Sequence, residues 1–115
     1  MTAILSNLQA VHHAIAQAAQ QARRDVASIS LLAVSKTMPA GLLREAYGAG
    51  QRAFGENYLQ EALDKMQALR DLPLEWHFIG PIQSNKTRAI AENFSWVHSV
   101  DRLKVAERLS AQRPA

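Results

Sequence analysis

A chain of 115 residues has room for one core and none for a second. Its composition, 48% apolar and 20% charged, is that of an ordinary globular protein, and the lack of cysteine excludes disulfides and thiolate chemistry and suits a reducing cytoplasm. The net charge of +3 is mild and spread among acids, which argues against a nucleic-acid surface, and no apolar run nears the ~20 residues that cross a bilayer.

Residues 1–24 carry no acid and end in Arg23-Arg24, a composition shared with mitochondrial presequences. Ile4, Leu8, Val11, Ile15, Ala18 and Ala22 nevertheless fall on one helical face, and the segment enters the next element without a linker. That pattern favours a structural helix. Ile29 to Ser35 is a nearly continuous apolar run, expected of a parallel strand buried on both faces. Pro39 suits the first turn of a helix that buries Leu42, Leu43, Ala46 and Tyr47, with Gly48 or Gly50 ending it.

A short strand is expected over Arg52 to Gly55, then a helix with Leu59, Leu63, Met66 and Leu69 on one side. Asp71-Leu72-Pro73 breaks that helix. Leu74 to Ile79 reads as the third strand, stopped by Gly80-Pro81. The Ser84 hydroxyl is expected to cap a helix running to about Asn93. Ser95 to Ser99 is the fourth strand, and Asp101 caps a last helix bearing Leu103, Ala106 and Leu109 before Pro114.

One leading helix and four βα units make an α/β fold with a parallel sheet and right-handed crossovers. Two architectures satisfy this pattern. One is a small open doubly wound sheet; the other is half of an eight-stranded barrel, which takes about 250 residues. Periodicity does not choose between them.

In both, functional groups gather beyond the carboxyl ends of the strands. Lys36 stands directly after the most apolar strand. Desolvation there would free its amine for attack on an aldehyde, whereas a surface lysine would only cover the sheet rim. Asn57 opens a helix, either facing a ligand or capping the helix. His77, between Trp76 and Phe78, is suited to polarise a ligand oxygen or to sit hydrogen-bonded in the core. Ser84-Asn85-Lys86 offers donors to an anion, or simply a solvated helix start. His12 and His13 are adjacent on a helix and point apart, which argues against a shared metal.

Leu31 to Pro39 (LLAVSKTMP), Phe54 to Gln60 (FGENYLQ) and Trp76 to Lys86 (WHFIGPIQSNK) closely resemble the pyridoxal 5′-phosphate (PLP) homeostasis proteins, in order and in spacing. The resemblance covers essentially the whole chain. It implies that residues 1–115 are the N-terminal half of a PLP-binding, alanine-racemase-like TIM barrel, a single domain whose C-terminal half is absent. It implies that Lys36 forms a reversible aldimine with PLP, and that Asn57, His77 and Ser84 line the cofactor. The implied role is non-catalytic, limiting free aldehyde in the cytoplasm and passing the cofactor on. A racemase-like enzyme and an inactive fragment are the alternatives. Met38 departs from the polar or basic residue common in relatives, and the Gly/Ser-rich phosphate segments belong to the half not present. No nucleic-acid or membrane partner is implied, while the open edges of a half-barrel offer a route to self-association.

Overall fold

The computed structural model describes residues 3–115, so the first two residues of the expected leading helix lie outside the described residues. Helices α1 (Ala3–Gln21), α2 (Ala40–Gly48), α3 (Leu59–Ala68), α4 (Thr87–Asn93) and α5 (Leu103–Gln112) enclose strands β1 (Ala33–Val34), β2 (Ala53–Glu56), β3 (Glu75–Phe78) and β4 (Trp96–Val97). After α1 every strand is followed by a helix, as the periodicity predicts. Among the described residues no helix is long and apolar enough to cross a membrane.

The strands pair in parallel in the order β1-β2-β3-β4. That order decides between the two architectures. Right-handed crossovers that never reverse direction put every helix on one face of the sheet. A doubly wound sheet requires a switch point, and none exists here. The arrangement is that of a barrel wall.

The register separates the two faces. Phe54, Trp76 and Phe78 point into the helix layer, where they pack with Leu43, Ala46, Ala62, Leu69, Ile82, Ile90, Phe94 and Val105. Phe54 and Trp76 lie tilted at 6.0 Å, and Phe78 meets Phe94 edge-on at 5.2 Å. The row Val34–Gly55–His77–Trp96 crosses the whole sheet on the opposite face. Its end members Val34 and Trp96 are 54% and 57% exposed, while His77 within it is buried.

Several local expectations need correction. The first strand is two residues long rather than seven, because β1 is an edge with only β2 beside it, and Val26–Ser28 forms a 3₁₀ turn capped by the Asp25 carboxylate. Burial on both faces is therefore not realised. Pro39 stands one position before α2, as its cap, rather than in its first turn. α2 does end as glycine allows: Gly50 at φ +103° lets Gln51 N–H reach Ala46 C=O and Gly50 N–H reach Tyr47 C=O. The Ser84 hydroxyl caps nothing. The chain enters α4 through a 3₁₀ turn, and it is the Ser84 carbonyl that accepts a bond, from the Thr87 hydroxyl at 3.0 Å. Asp101 does not cap α5 either; Arg102 takes that position and Asp101 pairs with it at 3.5 Å. Leu103 faces solvent while Val105 is buried, and in α1 the buried residue is Ala19 rather than Ala18. The helical phase itself is as expected, since Ile4, Leu8 and Leu109 pack against the core; the misses are single residues at the margins of those faces.

Candidate functional site

β1 ends with the Ser35 N–H still bonded to Gly55 C=O at 2.9 Å. The chain then reverses, and Met38 N–H returns to Ser35 C=O at 3.0 Å. This closes a four-residue turn with Lys36 and Thr37 at its corners. Thr37 has φ +65°, the left-handed region that a turn's third residue usually reaches with Gly or Asn. A residue with a Cβ is strained there by about 1–2 kcal/mol, so the turn must be held.

The hold comes from behind the sheet. Glu56, the last residue of β2, is fully buried, and Lys65 of α3 is buried beside it. The Lys65 ammonium donates to both Glu56 oxygens at 3.1 and 2.9 Å, to Glu61 Oε2 at 3.0 Å, and to Ser35 C=O at 2.7 Å. The Ser35 hydroxyl bonds the Glu56 carboxylate, and Glu61 Oε2 accepts the Thr37 N–H at 2.9 Å. Both neighbours of Lys36 are thus tied to one buried ionic cluster. Burial pushes the Glu56 carboxyl up, opposed by the Ser35 hydroxyl and the Lys65 ammonium. The Thr37 N–H, then Lys65, hold Glu61 below the usual carboxylate range. Because the folded value of Glu61 lies under its unfolded one, its contribution is complete at neutral pH and is lost as pH falls through that lowered value.

Lys36 itself is exposed. Burial within these residues therefore does not supply the desolvation expected for its amine. Asn57 follows β2 and does not cap α3, whose cap position belongs to Tyr58. Its Oδ1 is buried without a hydrogen-bond partner, a state that costs about 1–3 kcal/mol. The Asn57 backbone presses on Gly80: a Cβ built there would lie 2.5 Å from Asn57 O, so only glycine fits. Asn57 also walls a cleft with Tyr58, Phe78, Gln83 and Lys86.

His77 is buried and hydrogen-bonded, as one of its two expected readings has it, on the sheet face opposite the helix layer. Its Nε2 meets Glu75 Oε1 at 2.7 Å, its Nδ1 meets His98 Nε2 at 2.8 Å, and its ring stacks on Trp96 at 5.9 Å. With both rings neutral, His98 donates to His77 and His77 donates to Glu75. Lys36, Asn57 and the Ser84 turn follow β1, β2 and β3 in sequence, so parallel pairing brings them to one edge of the sheet. His77 sits within its strand, below that edge. Among the described residues no group of three or more His, Cys, Asp or Glu is placed to hold a metal.

The Glu56–Lys65–Glu61 cluster was not expected from the sequence, although a signal for it existed. Glu56 shares the inward parity of Phe54, and Lys65 shares the buried side of α3 with Ala62 and Leu69. Two opposite charges at core positions on adjacent elements predict a buried pair.

No family model matches the chain. A pyridoxal phosphate homeostasis protein of Pseudomonas aeruginosa is 67% identical over 115 residues, covering 100% of this chain and 50% of that protein. One from Escherichia coli is 53% identical over 118 residues, again with 100% and 50% coverage. The chain thus spans about half the length of the curated relatives it matches. PipY of Synechococcus elongatus, solved with PLP bound, superimposes with TM-score 0.74 at 49% identity, covering 85% of this chain and 47% of PipY. An unknown protein from Bifidobacterium adolescentis gives TM-score 0.88 at 32% identity, with 95% and 49% coverage. The sequential four-stranded wall, with its helices on one face, matches the N-terminal half of the PipY barrel. The chain belongs to the pyridoxal phosphate homeostasis proteins and corresponds to the N-terminal half of that family's barrel.

Proposed function

We propose that this chain contributes the lysine of a PLP-holding site and that the whole serves cofactor homeostasis rather than catalysis. The observation that carries the reading is Lys36, exposed at the corner of a braced turn beyond β1. With PLP bound, the Lys36 amine would be the group that holds the cofactor through its aldehyde, a reversible condensation in which water is released and later taken up again. The cofactor is thereby held without being consumed. Asn57 supports the same edge, since its orphaned Oδ1 suits a hydroxyl or N–H donor on a ligand. His77 and the Ser84 turn are the remaining proposed lining groups, His77 from the face opposite the helix layer and Ser84 from the sheet edge. The names of the P. aeruginosa and E. coli relatives support homeostasis as the role.

Borohydride reduction after incubation with PLP, followed by peptide mapping, tests the assignment. The pyridoxyl group is expected on Lys36 and is expected to vanish in Lys36→Ala. Lys65 is buried with its ammonium bonded to three residues, so the competing sites are Lys86 and Lys104. Labelling spread evenly over those two and Lys36 would overturn the reading.

We also infer that the 115 residues associate with one another. β1 and β4 present unpaired edges, and Val34 and Trp96 are exposed on the face opposite the helix layer. Open edges and bare apolar rows promote pairing with another chain. A two-fold pair of walls would complete eight strands. Light scattering over a concentration series is expected to give masses above the 12.7 kDa of one chain. A monodisperse monomer at high concentration is the contrary result.

A further inference from the structure

The cluster behind the Lys36 turn exceeds what fold stability requires, since a well-packed apolar group of similar volume is often at least as stabilising as a buried ion pair. What an apolar group could not do is grip the backbone on both sides of Lys36. Lys65 takes the Ser35 carbonyl and Glu61 takes the Thr37 N–H. That N–H belongs to the Lys36–Thr37 peptide, the central peptide of the turn. A turn with positive φ at its third residue has this peptide flipped relative to the commonest turn. Without an acceptor for the flipped N–H, the strain that a Cβ meets in the left-handed region favours a return of Thr37 to negative φ.

Accordingly, we propose that Glu61 and Lys65 are positioning residues that set the direction of Lys36 by fixing the orientation of the Lys36–Thr37 peptide. The proposal rests on the reading of Lys36 as the cofactor lysine. Glu61 is the effective handle. Its side chain is 34% exposed against 6% for Lys65, so it can be altered with the buried Glu56–Lys65 pair left in place.

The test uses the 115-residue chain and three variants: Glu61→Ala, Glu61→Gln, and Glu61→Ala combined with Thr37→Gly. Amide hydrogen exchange by NMR reads the turn without any cofactor. Protection of the Thr37 amide is expected in the parent chain and in Glu61→Gln, whose amide oxygen still accepts the bond, and is expected to be lost in Glu61→Ala. The rate of PLP-dependent, borohydride-trapped labelling at Lys36 is expected to fall about tenfold in Glu61→Ala, the factor that the left-handed strain represents. Adding Thr37→Gly should recover most of that rate, because glycine adopts positive φ without the Cβ penalty. Recovery by a glycine is not what a loss of global stability would produce. Full labelling in Glu61→Ala, or no recovery on adding Thr37→Gly, overturns the positioning role. Absence of Lys36 label in the parent chain overturns the cofactor reading instead, and the two failures are distinguishable.

Discussion

Lys65→Met is expected to destabilise the fold by about 3–5 kcal/mol, because it leaves the Glu56 carboxylate buried without its partner. A domain of this size holds about 5–15 kcal/mol in total, so the loss removes from about a fifth of that stability to nearly all of it. Methionine matches the lysine stem in length and keeps its packing, so the loss isolates the charge. The pH dependence carries the signature. Lys65 is one of the two groups that oppose the upward push of burial on Glu56, and removing it raises the folded-state pKa of Glu56 further above its unfolded value. Between those two values the native state binds the extra proton, so stability falls as pH rises through that window. The deficit relative to the parent chain should therefore shrink on acidification. Adding Glu56→Gln removes the stranded charge and should restore part of the loss. Urea unfolding at one fixed chain concentration and several pH values measures all three. A Lys65→Met midpoint within error of the parent, at every pH, would show that the pair contributes nothing.

That buried pair also marks the limit of what the sequence made legible. Element types and their order were readable because α2, α3 and β3 carry clean periodicity, and Pro73, Gly50 and Gly80 punctuate them. Strand lengths were not. An apolar run such as Ile29–Ser35 records which residues avoid water and says nothing about how many have a neighbour to pair with. At the sheet edge only Ala33 and Val34 are strand residues. Capping failed at Ser84 and Asp101 for a related reason, since a good capping residue competes with whatever path the loop takes into the helix, and both helices are entered otherwise. The proposal for Lys36 rests on its motif and its place after β1. The support under it was not legible, because lysine and glutamate are ordinarily surface residues, and only the parity of Glu56 with Phe54 and the place of Lys65 on the buried side of α3 betrayed the pair. His77 was half readable: its strand was correct, but its bonds to Glu75 and His98 depend on the β3–β4 register, which no local pattern encodes.

The second large effect concerns affinity. PLP is expected to bind the 115 residues about 100-fold or more weakly than it binds the P. aeruginosa relative, which is twice as long and 67% identical across the shared half. Lys36, the proposed covalent anchor, lies within this half. An imine to an exposed lysine is labile in water, however, and charge-assisted donors to the phosphate would add a second, non-covalent anchor. In barrels these donors commonly follow the seventh and eighth strands, whereas this chain's sheet has four. Each such bond contributes about 1.5–3 kcal/mol, and losing two of them corresponds to two orders of magnitude or more at about 1.4 kcal/mol per tenfold. The two anchors separate by experiment. Absorbance titration in the imine band should give the weak affinity, and free phosphate should compete far less here than against the longer relative. Trapped label should still fall on Lys36, since site choice depends on the turn and not on the phosphate. Equal affinities would mean that four strands, alone or paired with a second copy, already supply the phosphate donors. The cleft beside Asn57, with Lys86 and Gln83 on its wall, would then be the place to look for them.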